Sequence, residues 1–350
     1  MNLPKSTHWG AHHEGTFGDY MTMKEGDNVY FFSGRKIYGI GELVNINGDC
    51  KFLNFPNADS PIDYDFSSLK KSMILNDSTE NMKNRMLCTF KGSPHFFENG
   101  VDMDDILSFN PKSFKMLRAF WKLSFIKIDH EENKALMDVI LKNNEDNLLL
   151  KENIFAEPTI IHKRVSQLAN QKYQVNSDNI LNMCSEANGE IRHEMALEVG
   201  ILDYISNKKT LVFGDWDYLS HQVIASPFKP VDYMDKMDIF GYKYIPDFET
   251  ISKYLVIEIK KSLADLDVVN QVMKYVDWVN QEYSYGDYNM IEAFIVAYDF
   301  PEDVIALKNE IGKRNYIRGR RPAVALEWKN LRLIKYRFDT QLKRLFFEEV

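Results

Sequence analysis

Three cysteines in 350 residues, Cys50, Cys88 and Cys184, are too few and too widely spaced for a disulfide framework or for a CxxC zinc or redox pair. They are read as reduced structural thiols. The roughly 18 consecutive apolar residues that a membrane span needs do not occur, and the opening MNLPKSTHWG lacks the apolar stretch of a secretory signal. A cytoplasmic protein with no membrane partner is expected. Positive charge is not in excess either: 43 Lys and Arg against 51 Asp and Glu leave a formal net charge of -8. That balance excludes a surface coated in basic residues but leaves room for a local basic groove. No internal repeat, heptad array or low-complexity tract is present. What is there is ordinary for folded protein: 45% hydrophobic and 27% charged residues, in a chain long enough for two domains with separate cores.

The first part reads as short strands. DNVYFFSGRKIYGIGELVNI holds two apolar-aromatic runs parted by Ser33, Gly34, Arg35 and Lys36, a hairpin signature, and further glycines follow at 39, 41 and 48. A turn-rich region is expected up to GVDMDDILSFNP. KSFKMLRAFWKLSFI and DHEENKALMDVILKNN then resume longer apolar patterns, with Asp129 and Glu132 as a capping-box-like pair. The Asn- and Asp-rich KNNEDN marks a break. These signals predict a first domain over residues 1–147, a connecting segment over 148–185 and a second domain over 186–350.

The second part alternates helix and strand, as a mixed α/β domain does. NGEIRHEMALEVGILDYI is helical by periodicity, TLVFGD and DKMDIFGYKY read as strands, and YLVIEIKKS is a further buried strand. A helix over LADLDVVNQVMKYVDWVNQEYS, a strand at MIEAFIVAYDF and a helix with Pro in its first turn at PEDVIALKNEIGKR complete the pattern.

Within YLVIEIKKS, Glu258 and Lys260 stand two apart and so share a face of the strand. Upstream, Asp238 sits in the strand-like KMDIFGY, and IPDFETIS provides a hairpin connection that brings it beside Glu258. Two close, buried carboxylates repel unless a hard cation sits between their oxygens, so magnesium or manganese is expected. Such an ion can hold a phosphate and acidify a water, while Lys260 orients that water or offsets developing charge. On the following helix, Gln271 and Tyr275 are four apart and share a face. On the preceding one, Glu190, Glu194 and Glu198 repeat at the same spacing and form an acidic stripe.

Asp followed by Glu-x-Lys on the next strand resembles the core of the PD-(D/E)XK nuclease superfamily. The Gln-xxx-Tyr helix behind it resembles RecB-like members and the NucS family. The resemblance spans roughly residues 190–300, and MDIFGY with YLVIEIKKSLADLDVVNQVMKYVDWV is its most specific part. It implies catalytic roles for Asp238, Glu258, Lys260, Gln271, Tyr275 and a helix glutamate, and a metal held at Asp238, Glu258, Ile259 and that same glutamate. Glu194 is the preferred helix glutamate and Glu198 the alternative. The family's Pro-Asp is not intact, since Met237 precedes Asp238; Asp232 and Asp235 compete, and Asp238 is chosen because apolar residues and a glycine follow it.

Farther along, KRNYIRGRR carries Lys313, Arg314, Arg318, Arg320 and Arg321 without an acidic residue, a candidate phosphate-binding stretch. His221 is placed to reach the same cleft. At the other end, HWG followed by GDNVYFFSGRKIYGIGEL resembles the opening of a PUA-like domain of the EVE and YTH type, over residues 5–60. That likeness implies a small barrel binding a modified or flipped base in an aromatic pocket, with Trp9 as its first wall. His8, His12 and His13, three histidines near a terminus, are weak evidence for a metal site. Together the resemblances imply a metal-dependent DNA endonuclease, with a modified-base reader directing restriction of foreign DNA; because cutting both strands of a duplex needs two active sites, a homodimer is expected. The competing expectations are a NucS-like repair enzyme for mismatched or branched DNA, and a non-catalytic nucleic-acid sensor. RNA as the reader's ligand stays open.

Overall fold

The computed structural model describes residues 18–53, 86–119, 125–148, 163, 166, 177–227 and 234–350. Trp9, the histidines at 8, 12 and 13, and Asp232 lie outside the described residues. Two compact units are present. The first draws on described residues of Met23–Trp121 and Ile128–Val175, the second on those of Thr7–Thr22, Lys122–Lys127 and Asn176–Val350.

In the first unit, β1 (Asn28–Ser33) and β2 (Lys36–Leu43) form an antiparallel hairpin. Gly34 and Arg35 both take positive φ, 57° and 68°, the backbone of a two-residue turn matched to strand twist. A short pair follows, β3 (Lys51–Leu53) with β4 (Met86–Cys88), and then β5 (Phe90–Asp102), which pairs with the other edge of β2. The barrel expected of this part is not closed among the described residues; they form one three-stranded and one two-stranded sheet. The turn-rich reading of GVDMDDILSFNP is corrected: Asp102 caps a helix, α1 (Met103–Phe109), by accepting from the Asp104 N–H. After the single turn α2 (Met116–Ala119) comes α3 (His130–Asn143). Asp129 caps α3 as its spacing predicts, at 2.8 Å from the Glu132 N–H. Glu132 does not complete the capping box. Its Oε1 instead accepts from the N–H groups of Met116 and Leu117, at 3.0 and 3.2 Å. Leu136, Val139 and Ile140 of α3 pack with Ile37, Ile40 and Ile106 in the unit's core.

The second unit is mixed α/β. Its main sheet has six strands: β6 (Tyr218–Ile224), β7 (Lys236–Tyr244), β8 (Ile251–Ile259), β9 (Ile291–Ala297), β12 (Leu331–Asp339) and β13 (Arg344–Glu349), in the order β13-β12-β9-β8-β7-β6. Pairs β8–β9 and β9–β12 are parallel, the others antiparallel. A separate antiparallel pair, β10 (Arg314–Arg318) with β11 (Val324–Trp328), lies between β9 and β12 in the chain. The helices are α4 (Ser177–Cys184), α5 (Glu194–Ser206), α6 (Leu266–Glu282) and α7 (Glu302–Ile311). Every residue of α5 from Met195 to Ile205 is buried, so this helix is apolar nearly all round, as an interior helix must be. By contrast α6 has a single apolar stripe, including Val268, Val272, Tyr275 and Val279, and Asp265 caps it.

Two sequence readings fail here. TLVFGD is a turn and not a strand: the chain reverses at Gly214, with φ +77°, and the Trp216 Nε1–H donates to the Phe213 carbonyl at 2.6 Å. Phe213 is buried against Phe294 and Phe347 while Leu211 is 82% exposed, so apolar content there marks a plug in the core and not a ladder. Nor does the helix of α5 reach back to Glu190. Gly189 takes φ +84° where a Cβ would lie 2.6 Å from the Phe338 carbonyl oxygen, and the chain turns there between the bridged residues Ser185 and Ile191, so the helix begins only after His193, whose backbone is extended. The three-glutamate stripe is therefore reduced to Glu194 and Glu198.

Candidate active site

The β7–β8 hairpin sets the central pair. Ile239 faces Ile257 and Phe240 faces Val256, and the same register carried one step further sets Asp238 opposite Glu258. Directly opposed residues share a face of a sheet, so the carboxylates are neighbours. Asp238 Oδ2 accepts from the Ile259 N–H at 2.7 Å, which ties the start of β7 to the end of β8. Lys260, the next residue, donates its own N–H to the Val296 carbonyl of β9 and its ammonium to Glu258 Oε1, at 2.8 Å each. The group thus forms at the carboxyl end of a strand in the parallel part of the sheet, where open α/β sheets place their ligands.

Burial dominates the electrostatics. Glu258 is 1% exposed, and burial pushes its carboxyl up to about 7 despite the offsetting Lys260 ammonium. Asp238 is raised well above the ordinary carboxylate range, first by burial and then by Glu258 and Glu198. For Lys260 burial works against the charge, but Glu258 and Asp238 outweigh it and hold the ammonium up at about 12. Most telling is Glu258 Oε2, which is buried and has no hydrogen-bond partner. A buried acceptor in that state costs about 1–3 kcal/mol.

Both helix glutamates bear on this group. Each acts on Glu258, and Glu198 acts on Asp238 as well. Glu194 is raised by burial and accepts from the Lys261 N–H at 3.2 Å, while Glu198, 4% exposed, is engaged by His221 Nε2 from β6. His221 is in turn placed by Asp19, whose Oδ1 accepts from its N–H at 3.3 Å. Glu190 lies apart from this group in its bonding, accepting from the Ser262 hydroxyl at 2.7 Å. On α6, the Gln271 amide donates to the Tyr275 hydroxyl at 2.7 Å. Burial raises the Tyr275 pKa, with Glu258 and Asp238 adding to it. Asp235 is exposed, just before β7. The basic residues fall elsewhere: Arg314 and Arg318 on β10, Arg320 and Arg321 in the turn after it.

Asp19 and the Glu198–His221 pair were not legible as partners, because a contact between residues 23 or 202 positions apart leaves no local periodicity. Among the described residues no three His, Cys, Asp or Glu side chains are gathered as a ready-made metal cage. The pair Asp238 and Glu258 nonetheless suits a hard cation of the magnesium type. Such ions bind through one or two carboxylates and leave the remaining positions to water and phosphate, and Glu258 Oε2 is an acceptor without a partner.

Part of the chain is similar to two solved structures. One is the crystal structure of a repair endonuclease from Pyrococcus abyssi, with 22% identity over 37% of this chain and 46% of that chain, at a TM-score of 0.23. The other is the structure of an EndoMS-dsDNA2 complex, with 17% identity over 32% of this chain and 40% of that chain, at a TM-score of 0.22. Each match spans less than half of the solved chain. No protein-family description and no curated protein matches the sequence.

Proposed function

We propose that the second unit is a metal-dependent DNA endonuclease of the PD-(D/E)XK type, and that a PUA-like reader in the first part of the chain directs it to modified bases of foreign DNA. The carrying observation is the convergence of Asp238, Glu258 and Lys260 at one strand end, with a buried Glu258 oxygen left without a partner. A buried Glu258 and a half-buried Asp238, both held above their usual pKa beside a lysine, are poorly explained as a structural ion pair, which would satisfy both Glu258 oxygens.

Asp238 and Glu258 would hold the ion, with Glu198 or Glu194 and the Ile259 backbone as further candidate ligands. Magnesium or manganese supplies positive charge at a phosphodiester and acidifies water. Lys260 Nζ stands on the same carboxylate and can orient the attacking water toward phosphorus or offset charge on the phosphate oxygens. Tyr275, held protonated by its surroundings and already accepting from Gln271, keeps an O–H to donate toward the carboxylates or the substrate backbone. Cutting both strands of a duplex needs two such sites, which a homodimer would supply.

The test is incubation with magnesium or manganese and a panel of duplexes bearing modified cytosine or adenine, mismatches or branches, with Lys260→Ala as control. Metal-dependent cleavage of modified DNA, lost in the control, is the expected result. Cleavage of mismatched or branched DNA with indifference to modification would assign a repair role instead. Failure to cut any member of the panel would reduce the site to a nucleic-acid-binding platform.

A further inference from the structure

We infer that the β10–β11 hairpin is a duplex-DNA arm, anchored to its unit at one end and offering a basic tip to a groove at the other. Only binding is at stake, so the experiment below does not depend on the nuclease chemistry.

The two halves of the hairpin differ in what holds them. At the base, the Arg314 guanidinium makes a fork on Asp277 of α6, Nε to Oδ1 at 2.7 Å and Nη2 to Oδ2 at 2.8 Å. Tyr288 donates its hydroxyl to the same carboxylate at 3.0 Å, and its ring lies 5.6 Å from that of Tyr316 and 6.4 Å from that of Trp328. Trp328, 2% exposed, donates its Nε1–H to the Ile291 carbonyl at 2.8 Å. Arg314 is thus committed to the anchor, and a bidentate arginine–carboxylate fork is the geometry suited to fixing an orientation. This removes Arg314 from the candidate phosphate-binding residues.

Toward the tip such partners stop. Arg318 pairs with Val324 across the ladder, and Arg318, Arg320, Arg321 and Ile317 are all exposed, Ile317 by 69%. Among the described residues no ion pair involves Arg318, Arg320 or Arg321. The turn is tightly made: Gly319 takes φ +77° where a Cβ would meet the Pro322 carbonyl oxygen at 2.9 Å. From Asn315 to Leu326 the chain has no acidic residue, so three arginines stand on a ribbon of five-residue strands with nothing to neutralise them.

That combination fits one kind of partner. Strands of this length reach about 17 Å, and a two-stranded ribbon is admitted by the DNA major groove, about 12 Å wide. The deep, narrow major groove of duplex RNA does not admit it. A polyanion supplies the missing counter-charge, whereas a second copy of this chain, at a net charge of -8, would have to present an acidic patch to the tip.

The experiment is fluorescence anisotropy of a labelled DNA duplex with the full chain, in EDTA, over a range of salt concentrations. Comparison is with a triple variant, R318Q/R320Q/R321Q, whose exposed positions leave the fold intact by thermal melting. The expected result is a slope of log affinity against log salt that falls by roughly 2–3 in the variant, about 0.9 for each phosphate no longer neutralised. Arg314→Gln should weaken binding while changing that slope by less than the share of a single phosphate, since it loosens the arm without removing a tip charge. An RNA duplex of the same sequence should compete at least tenfold less well. An unchanged slope in the triple variant, equal competition by RNA, or a variant whose only change is loss of dimer on sizing would overturn the inference. Because no step requires cleavage, tip-dependent binding by a protein that never cuts would sink the nuclease reading alone. Cutting with tip-independent binding would sink only the arm.

Discussion

Asp238 and Ile259 are joined side chain to backbone, the Asp238 Oδ2 accepting the Ile259 N–H at 2.7 Å across the β7–β8 ladder. The bond gives the carboxylate a structural duty beside the metal-binding one proposed for it, and the two separate by substitution. Asp238→Asn keeps an oxygen acceptor for Ile259 and removes the charge, so it should abolish metal-dependent cleavage with little change in melting temperature. Asp238→Ala also orphans a buried N–H and should cost about 1–3 kcal/mol more, read from denaturant unfolding of the two variants side by side.

Affinity for magnesium should rise with pH. A Glu258 carboxyl held near 7 carries a proton below that pH, and an incoming cation must displace it. Half-saturating magnesium, taken from the thermal shift it produces, should fall as pH rises, by about tenfold per pH unit for each proton displaced from the Asp238–Glu258 pair. Glu258→Gln should show no magnesium-dependent shift. A half-saturation point that ignores pH between 6 and 8 would contradict this placement of the ion.

Removing His221 should be felt mainly as stability. The Glu198–His221 pair is buried and hydrogen-bonded, so His221→Ala leaves the Glu198 carboxyl without that partner, at a cost on the order of 1–3 kcal/mol. The double variant His221→Ala/Glu198→Ala should recover part of that loss, because no buried polar group is then left unpaired. A double variant no more stable than the single would show that packing and not the hydrogen-bonded pair dominates.

In the first unit, Glu132 should make local stability fall as pH rises. Burial lifts its carboxyl to about 8, with Asp129 adding to the effect, against an ordinary value of 4.5. Below about 4.5 the group is protonated folded or unfolded. Between 4.5 and 8 only the folded form keeps the proton, so stability declines across that window, by an amount on the order of 5 kcal/mol. Glu132→Gln preserves an oxygen for the Met116 and Leu117 amides. Hydrogen-exchange protection at those amides, corrected for intrinsic rate, should decline from pH 5 to 8 in the natural chain and stay level in the variant.

Much of the second unit was legible because its signals are local. Alternation puts Glu258 and Lys260 on one face, a short connection folds Asp238 back beside them, and helical spacing sets Gln271 against Tyr275; each follows from the period of one element or one turn. The β7–β8 register sets Asp238 opposite Glu258, Lys260 bonds to Glu258, and Gln271 bonds to Tyr275. Periodicity misled where an apolar or acidic pattern ran past the end of its element. Phe213 is buried because of Phe294 and Phe347, and Glu190 leaves the helix because Gly189 must clear the Phe338 backbone, and neither constraint is written near those residues.

What the amino-acid order alone determined, then, is which residues repeat on one face of a strand or helix, since that depends only on backbone geometry over a few positions. Tertiary structure alone decided that Glu198 meets His221, that Asp19 steadies His221 from 202 positions away, and that Arg314 is held by Asp277 while its neighbours are not. Those choices depend on which surfaces pack against one another. Packing is a property of the whole folded unit and leaves no period in the sequence.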